Sequence, residues 1–271
     1  MPELPDVESF KRYLDATSLH KKIKNVHVGN AKVLRGISGR RLKEALRGRS
    51  MEETSRRGKH LFAALDDGRW LTFHFGMTGR LAYFKSLDDD PEHDRLRLDF
   101  DDGYHLAFDN QRLFGRIGLI DDLDAFIASQ ELGPDAMDFS LDQDAFAKLM
   151  DGKQGGIKAA LMDQSLLAGI GNIYADEILF QAKLHPDTRV QDLSTDALRK
   201  LYRTMRRVLR VAIDRGAGSE ELVDRLPKTY LLPHREAGAS CPRCKGTIKT
   251  IKTAGRTSYY CPRCQPKPRG D

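Results

Sequence analysis

The chain has 271 residues, enough to bury a sizeable core in one large or two ordinary domains. With 40% hydrophobic and 31% charged residues it has a globular composition. No apolar run reaches ~18 residues and no signal-peptide pattern opens the chain, which argues against membrane and export and for the cytoplasm. The net charge of +6 is unevenly spread: from Arg235 to the end, nine basic residues face only Glu236 and Asp271, giving +7 and leaving the rest near neutrality. Such a tail favours a polyanionic partner.

The chain opens Met1-Pro2-Glu3-Leu4-Pro5-Asp6-Val7-Glu8. Loss of Met1 would leave a free proline nitrogen beside a carboxylate. An α-amino group with a pKa near ~7.7–8.0 is partly neutral at physiological pH and can form a Schiff base, whereas a lysine near ~10.4 must first be desolvated. The plainer alternative is a two-proline start to a surface helix. Val7, Phe10 and Leu14 follow at helical spacing, which predicts an amphipathic helix from Pro5 to about Ala16 that pins the terminus.

From Ile23 to Ile120 short alternating runs predict strands, with Asp66-Asp67-Gly68 and Asp101-Asp102-Gly103 as hairpin turns and residues 86–94 as a solvated loop. An antiparallel sandwich or barrel follows. Residues 121–135 read as the passage to a second domain, where helices are expected over 141–150, 157–167, 172–184 and 194–215. Ala168-Gly169-Ile170-Gly171-Asn172 puts a glycine-rich turn before a helix, with Asn172 able to cap it and free N–H groups able to meet an anion such as phosphate. An ordinary helical hairpin turn is the alternative.

Cys241-Pro242-Arg243-Cys244 and Cys261-Pro262-Arg263-Cys264 use every cysteine, with sixteen residues between the pairs. This spacing predicts one structural zinc bound tetrahedrally by Cys241, Cys244, Cys261 and Cys264 on a short basic hairpin. Two disulfides are disfavoured where nothing indicates an oxidising compartment. The chain is therefore α+β: an N-terminal antiparallel β-sandwich with a leading helix over 1–121, a linker over 122–134, a helical domain over 135–235 and a four-cysteine finger over 236–271.

Four separated stretches resemble the formamidopyrimidine-DNA glycosylase and endonuclease VIII family: Pro2-Glu3-Leu4-Pro5, Arg56-Arg57-Gly58-Lys59-His60-Leu61, Gly169-Ile170-Gly171-Asn172-Ile173-Tyr174-Ala175, and the knuckles with Gly255-Arg256 before the third cysteine. Leu4 resembles the formamidopyrimidine branch, since the other branch usually has glycine there. The resemblance implies a bifunctional glycosylase and abasic-site lyase acting on oxidised or ring-opened bases in double-stranded DNA, a monomer associated with the bacterial nucleoid. By it, Pro2 is the Schiff-base nucleophile, Glu3 protonates the opening sugar, and Lys59 lies near the scissile phosphate. Lys158 and Asn172 of a helix-two-turns-helix motif and Arg256 of the finger match phosphate-binding positions, and Tyr174 a position near the lesion. Met77, Arg112 and Phe114 resemble the trio that fills the gap left by the flipped nucleotide. A preference for oxidised pyrimidines, or a catalytically silent DNA-binding protein, are the alternatives.

Two stretches depart from the family pattern. Asp109-Asn110-Gln111-Arg112-Leu113-Phe114-Gly115 is one residue longer than usual and lacks a proline. The glycine-rich loop before the finger, which touches the flipped base in the family, is replaced by Leu226-Pro227-Lys228-Thr229-Tyr230-Leu231-Leu232-Pro233-His234-Arg235. Two prolines without N–H groups and three leucines predict a fixed connection and broadened base preference.

Overall fold

A computed structural model describes residues 1–267, so Arg269 and Asp271 of the basic tail lie outside the described residues. The chain divides into two compact units: Met1–Pro2 with Val7–Gln130, and Glu3–Asp6 with everything from Glu131 onward. No helix of the described residues is long and apolar enough to cross a membrane.

Helix α1 (Leu4–Thr17), which belongs to the first unit from Val7 onward, buries Val7 and Leu14 completely, as their spacing requires. Strands β1 (Ile23–His27), β7 (Asp94–Phe100), β8 (His105–Asn110) and β6 (Gly79–Phe84) form one antiparallel sheet in that order. The second sheet runs β2 (Leu34–Arg35), β9 (Arg116–Ile120), β5 (Trp70–His74), β4 (His60–Leu65), β3 (Met51–Arg57). It is antiparallel except that the two-residue β2 lies parallel to β9. Inward side chains of both sheets, Leu61, Leu71 and Phe73 with Leu96, Leu98 and Phe108, merge in one core, giving the expected sandwich. Helix α2 (Gly39–Leu46) packs Leu42 and Leu46 into the same core. Gly68 and Gly103 close the two Asp-Asp-Gly turns with φ of +87° and +82°. The stretch 122–134, expected as a linker, carries helix α3 (Leu123–Ser129), whose N-terminus Asp122 caps by accepting from Ala125 N–H.

The second unit holds α4 (Gln143–Met150), α5 (Ile157–Met162), α6 (Asn172–Ala182), α7 (Thr195–Arg215) and the finger hairpin β10 (Lys249–Thr253) and β11 (Arg256–Tyr260). Every residue of α6 from Ile173 to Ala182 is buried, which makes it the central helix. Helix α5 stops five residues short of expectation. Asp163 accepts from the backbone and hydroxyl of Ser165, and Gln164 bonds Met162 O, Ile170 O and Gly169 N–H, so side chains replace the next helical turn.

Candidate active site and metal centre

Asn172 does not cap α6. Gly171 is the N-cap residue, with no side-chain cap of its own. The free N–H groups of Gly171, Ile173 and Tyr174 instead donate to the Glu3 carboxylate at 2.7, 2.8 and 3.1 Å. The anion at the glycine-rich turn is thus a side chain from the other end of the sequence, placed where partial positive charge favours it. A Cβ at Gly171 would lie 2.5 Å from Glu3 Oε1, and one at Gly169 2.6 Å from Leu4 Cδ1, so the glycines are needed for this approach. Glu3 is 1% exposed. Pro2, the residue before it, is half-buried outside α1.

Asp6 completes the anchor. It accepts from Glu3 N–H and Ser219 N–H, both at 2.8 Å, which ties the start of α1 to the buried turn of residues 217–219. Burial pushes its carboxyl up to about 6, with the nearby charge of Glu3 adding and the two N–H bonds opposing. Tyr174 is fully buried and donates to Ala217 O and Gly218 O, so it is a core residue of this turn. Sequence reasoning missed Asp6 and Ser219, because only the fold brings residues 6 and 219 together.

In the first unit Lys59 sits in the two-residue turn joining β3 and β4, 9% exposed. His74, at the end of β5, also escaped the sequence reading, although it stands only three residues before Met77. Burial lowers its pKa to about 4, and the cations of Lys59 and Arg116 add to the effect. Its Nδ1 accepts from Gly76 N–H at 3.2 Å, which leaves the proton of the neutral ring on Nε2 as a donor. Met77, Arg112 and Phe114 come together on adjacent turns: Arg112 lies 5.4 Å from the Phe114 ring, and its N–H bonds Thr78 Oγ1. Met77 and Phe114 are 38% and 48% exposed. Asn110, at the departure from the family pattern, is fully buried and bonds Phe75 O and Gly115 N–H, clamping the two turns. Gly76 allows the clamp, since a Cβ there would lie 2.4 Å from the Phe114 backbone.

Lys158 is fully buried and bonds Asp176 and Ser258 Oγ, both at 2.6 Å. Asn172 is half-buried, donating to Thr257 O at 3.3 Å, and Arg256 is exposed after a turn in which Ala254 and Gly255 both have positive φ. The 226–235 segment is packed down. Leu226, Tyr230, Leu231 and Leu232 are buried, Glu177 accepts from Leu232 N–H, and Gln181 donates to Thr229 O.

The sulfurs of Cys241, Cys244, Cys261 and Cys264 lie within 4.8 Å of one another. Zinc–sulfur bonds of about 2.3 Å require sulfurs about 3.8 Å apart in a tetrahedron. Cys241–Cys264 at 3.8 Å and Cys244–Cys261 at 3.4 Å fit that spacing and are far too long for disulfides. The set holds one structural zinc, with no position left for a substrate. Arg243 of the first knuckle donates to Phe180 O and Gln181 and stacks 4.6 Å from the Phe180 ring, seating the finger on α6.

These features define a two-unit α+β protein with its opening carboxylate fixed to a helix N-terminus and a zinc finger seated on that helix. Residues 1–117 match the formamidopyrimidine-DNA glycosylase N-terminal domain, 132–224 its H2TH domain, and 240–267 the zinc finger found in FPG and IleRS. Formamidopyrimidine-DNA glycosylase of Pelotomaculum thermopropionicum is 35% identical over 98% of this chain and 99% of its own, and that of Heliobacterium modesticaldum is 36% identical over 98% and 100%. Crystal structures of the Lactococcus lactis enzyme bound to DNA containing an AP site, and in complex with DNA containing N7-benzyl-Fapy-dG, superpose with TM-scores of 0.87 and 0.89. They share 30% and 29% identity and cover 98% of this chain and 100% of theirs. The chain belongs to the formamidopyrimidine-DNA glycosylase family.

Proposed function

We propose that the protein is a bifunctional DNA glycosylase and abasic-site lyase acting on oxidised or ring-opened bases in duplex DNA. With Met1 removed, the Pro2 nitrogen attacks C1′ of the damaged nucleotide and the base departs with the bonding pair. Glu3 takes up the proton that the Pro2 nitrogen sheds and delivers it to the ring oxygen as the sugar opens to an iminium. That iminium is a permanent cation, so it acidifies the 2′ hydrogens. Loss of one expels the 3′ phosphate by β-elimination, and δ-elimination then expels the 5′ phosphate. The observation that carries this reading is the Glu3 carboxylate, buried and held by three N–H donors directly after the nucleophile.

Flipping the nucleotide costs a few kcal/mol, and exposed Met77, Phe114 and Arg112 are suited to fill the gap as wedges and donor. Lys59, Asn172 and Arg256, with the Nε2 donor of His74, would meet phosphates. We read the domain limits of 1–121, 135–235 and 236–271 as functional parts, and the protein as a monomer of the bacterial cytoplasm. For base choice, the packed 226–235 segment favours ring-opened purines and oxidised pyrimidines over 8-oxoguanine, because a site without a hydrogen-bonding cover discriminates less. Single-turnover excision on matched duplexes tests this, and a clear preference for 8-oxoguanine opposite cytosine would sink it. The activity itself is tested by intact mass and borohydride trapping on an abasic duplex: an adduct at Pro2 is expected. A Pro2→Gly protein that cross-links and nicks at the parental rate, or an adduct at Lys59, overturns it.

A further inference from the structure

Asp176 lies in the middle of α6, 1% exposed, and no step proposed above uses it. Its Oδ1 accepts from Lys158 Nζ at 2.6 Å. Its Oδ2 accepts from Arg235 Nε and Nη2 at 3.0 and 2.8 Å and from Tyr259 N–H at 3.1 Å. One donor meets Oδ1 and three converge on Oδ2, so the carboxyl is shared by two cations; burial pushes its pKa up, and Lys158 and Arg235 oppose that push. Three consecutive residues of β11 are held by this group and its neighbours: Thr257 O by Asn172, Ser258 Oγ by Lys158, and Tyr259 N–H by Asp176. Arg235 also stacks 4.4 Å from the Tyr259 ring. Arg256 stands directly before the first of these residues.

We infer that Asp176 is a positioning residue that sets the register of the finger hairpin against α5 and α6, and that Lys158 acts through it rather than on a phosphate. Lys158 is fully buried and spends two donors inside the protein. Arg256 and Asn172 are then held at a fixed spacing, which two phosphates of one backbone require. A buried ion pair of this kind is weak evidence for stability and better suited to specifying one geometry. The DNA part of this inference rests on the proposed function, whereas the register of the hairpin does not.

The test is a double-mutant cycle on the zinc-loaded full chain with Lys158→Met, Asp176→Asn and both together, with Ser258→Ala as a variant that leaves no unpaired charge if Asp176→Asn fails to fold. Amide hydrogen exchange across β10 and β11 and affinity for an abasic-analogue duplex over a salt series are read. Each single variant should speed exchange at Tyr259 and weaken binding by about tenfold, and the double should lose little more, as expected of coupled residues. The salt slope should stay parental in Lys158→Met, whereas a lost phosphate contact would flatten it by about one unit. A flattened slope with parental hairpin exchange overturns the inference, as do independent, multiplying losses in the cycle. Wild-type protein that fails to bind duplex DNA would count against the proposed function alone, and the exchange data would still decide the register.

Discussion

At the scale of single residues, Glu3 does two jobs that pull on the same carboxylate. It replaces the missing cap of α6, and it stands next to the proposed nucleophile. Glu3→Gln has one acceptor oxygen for three N–H donors, so it should lose roughly 1–3 kcal/mol of stability. It should still bind DNA while losing base excision, and equal loss of both would make Glu3 purely structural. Phe114 offers the opposite case. At 48% exposure its truncation should cost less than about 1 kcal/mol, against about 3–5 for a buried phenylalanine. Normal melting of Phe114→Ala with slowed excision supports the wedge, and a melting point well below the parent returns Phe114 to the core. Spacing alone marks only the four cysteines; the opening Pro2-Glu3 and the trio Met77, Arg112 and Phe114 are singled out by the family resemblance, and patterning alone would place Met77 and Phe114 in the core. What binds Glu3 was not legible, because the donors are backbone groups at residues 171–174. Nor was the burial of Lys158, since its partners Asp176 and Ser258 are distant in sequence and a lysine in a helix reads as solvated.

At the scale of elements, α6 organises its unit through side chains on successive turns. Its N-terminus holds Glu3, Asp176 holds the finger strand, and Glu177 with Gln181 holds the 226–235 segment. The segment reads correctly from sequence as a fixed connection because prolines and leucines state their preference locally. The end of α5 did not, because Asp163 and Gln164 stop it by bonds that apolar periodicity does not register. Glu177 is fully buried, and burial pushes its pKa up to about 7, against the N–H bonds from Gln181 and Leu232. A carboxyl whose folded pKa lies above its unfolded value near ~4.5 favours folding below that value and loses the contribution as pH rises through 7. Removing the charge should therefore help more at high pH. The stability of Glu177→Gln relative to the parent should improve from pH 5 to pH 8, whatever its offset. Denaturant midpoints at both pH values check this, and a pH-independent difference would mean that Glu177 does not titrate in that window.

At the scale of the whole molecule, the described part of the basic tail is not an appendage but a finger seated on the central helix, and zinc is what lets it take that seat. Its own buried apolar side chains amount to little beyond Ile248 and the cysteines, with Phe180 and Leu231 supplied from outside the finger. So small a core cannot fold a hairpin without metal, so binding free energy is folding free energy here. The sandwich core shares none of these residues. Chelation should consequently release β10 and β11, carry Arg256 away from Asn172, and abolish DNA binding while the β-rich signal of the sandwich persists. Arg256→Ala separates charge from scaffold: with zinc retained it should weaken binding across sequences and flatten the salt dependence by about one unit of slope. Metal analysis with salt-dependent binding decides between them. Metal-free protein that binds damaged duplex as well as the parent would show that the finger needs no zinc for this work. A parental slope in Arg256→Ala would show that the exposed guanidinium meets no phosphate.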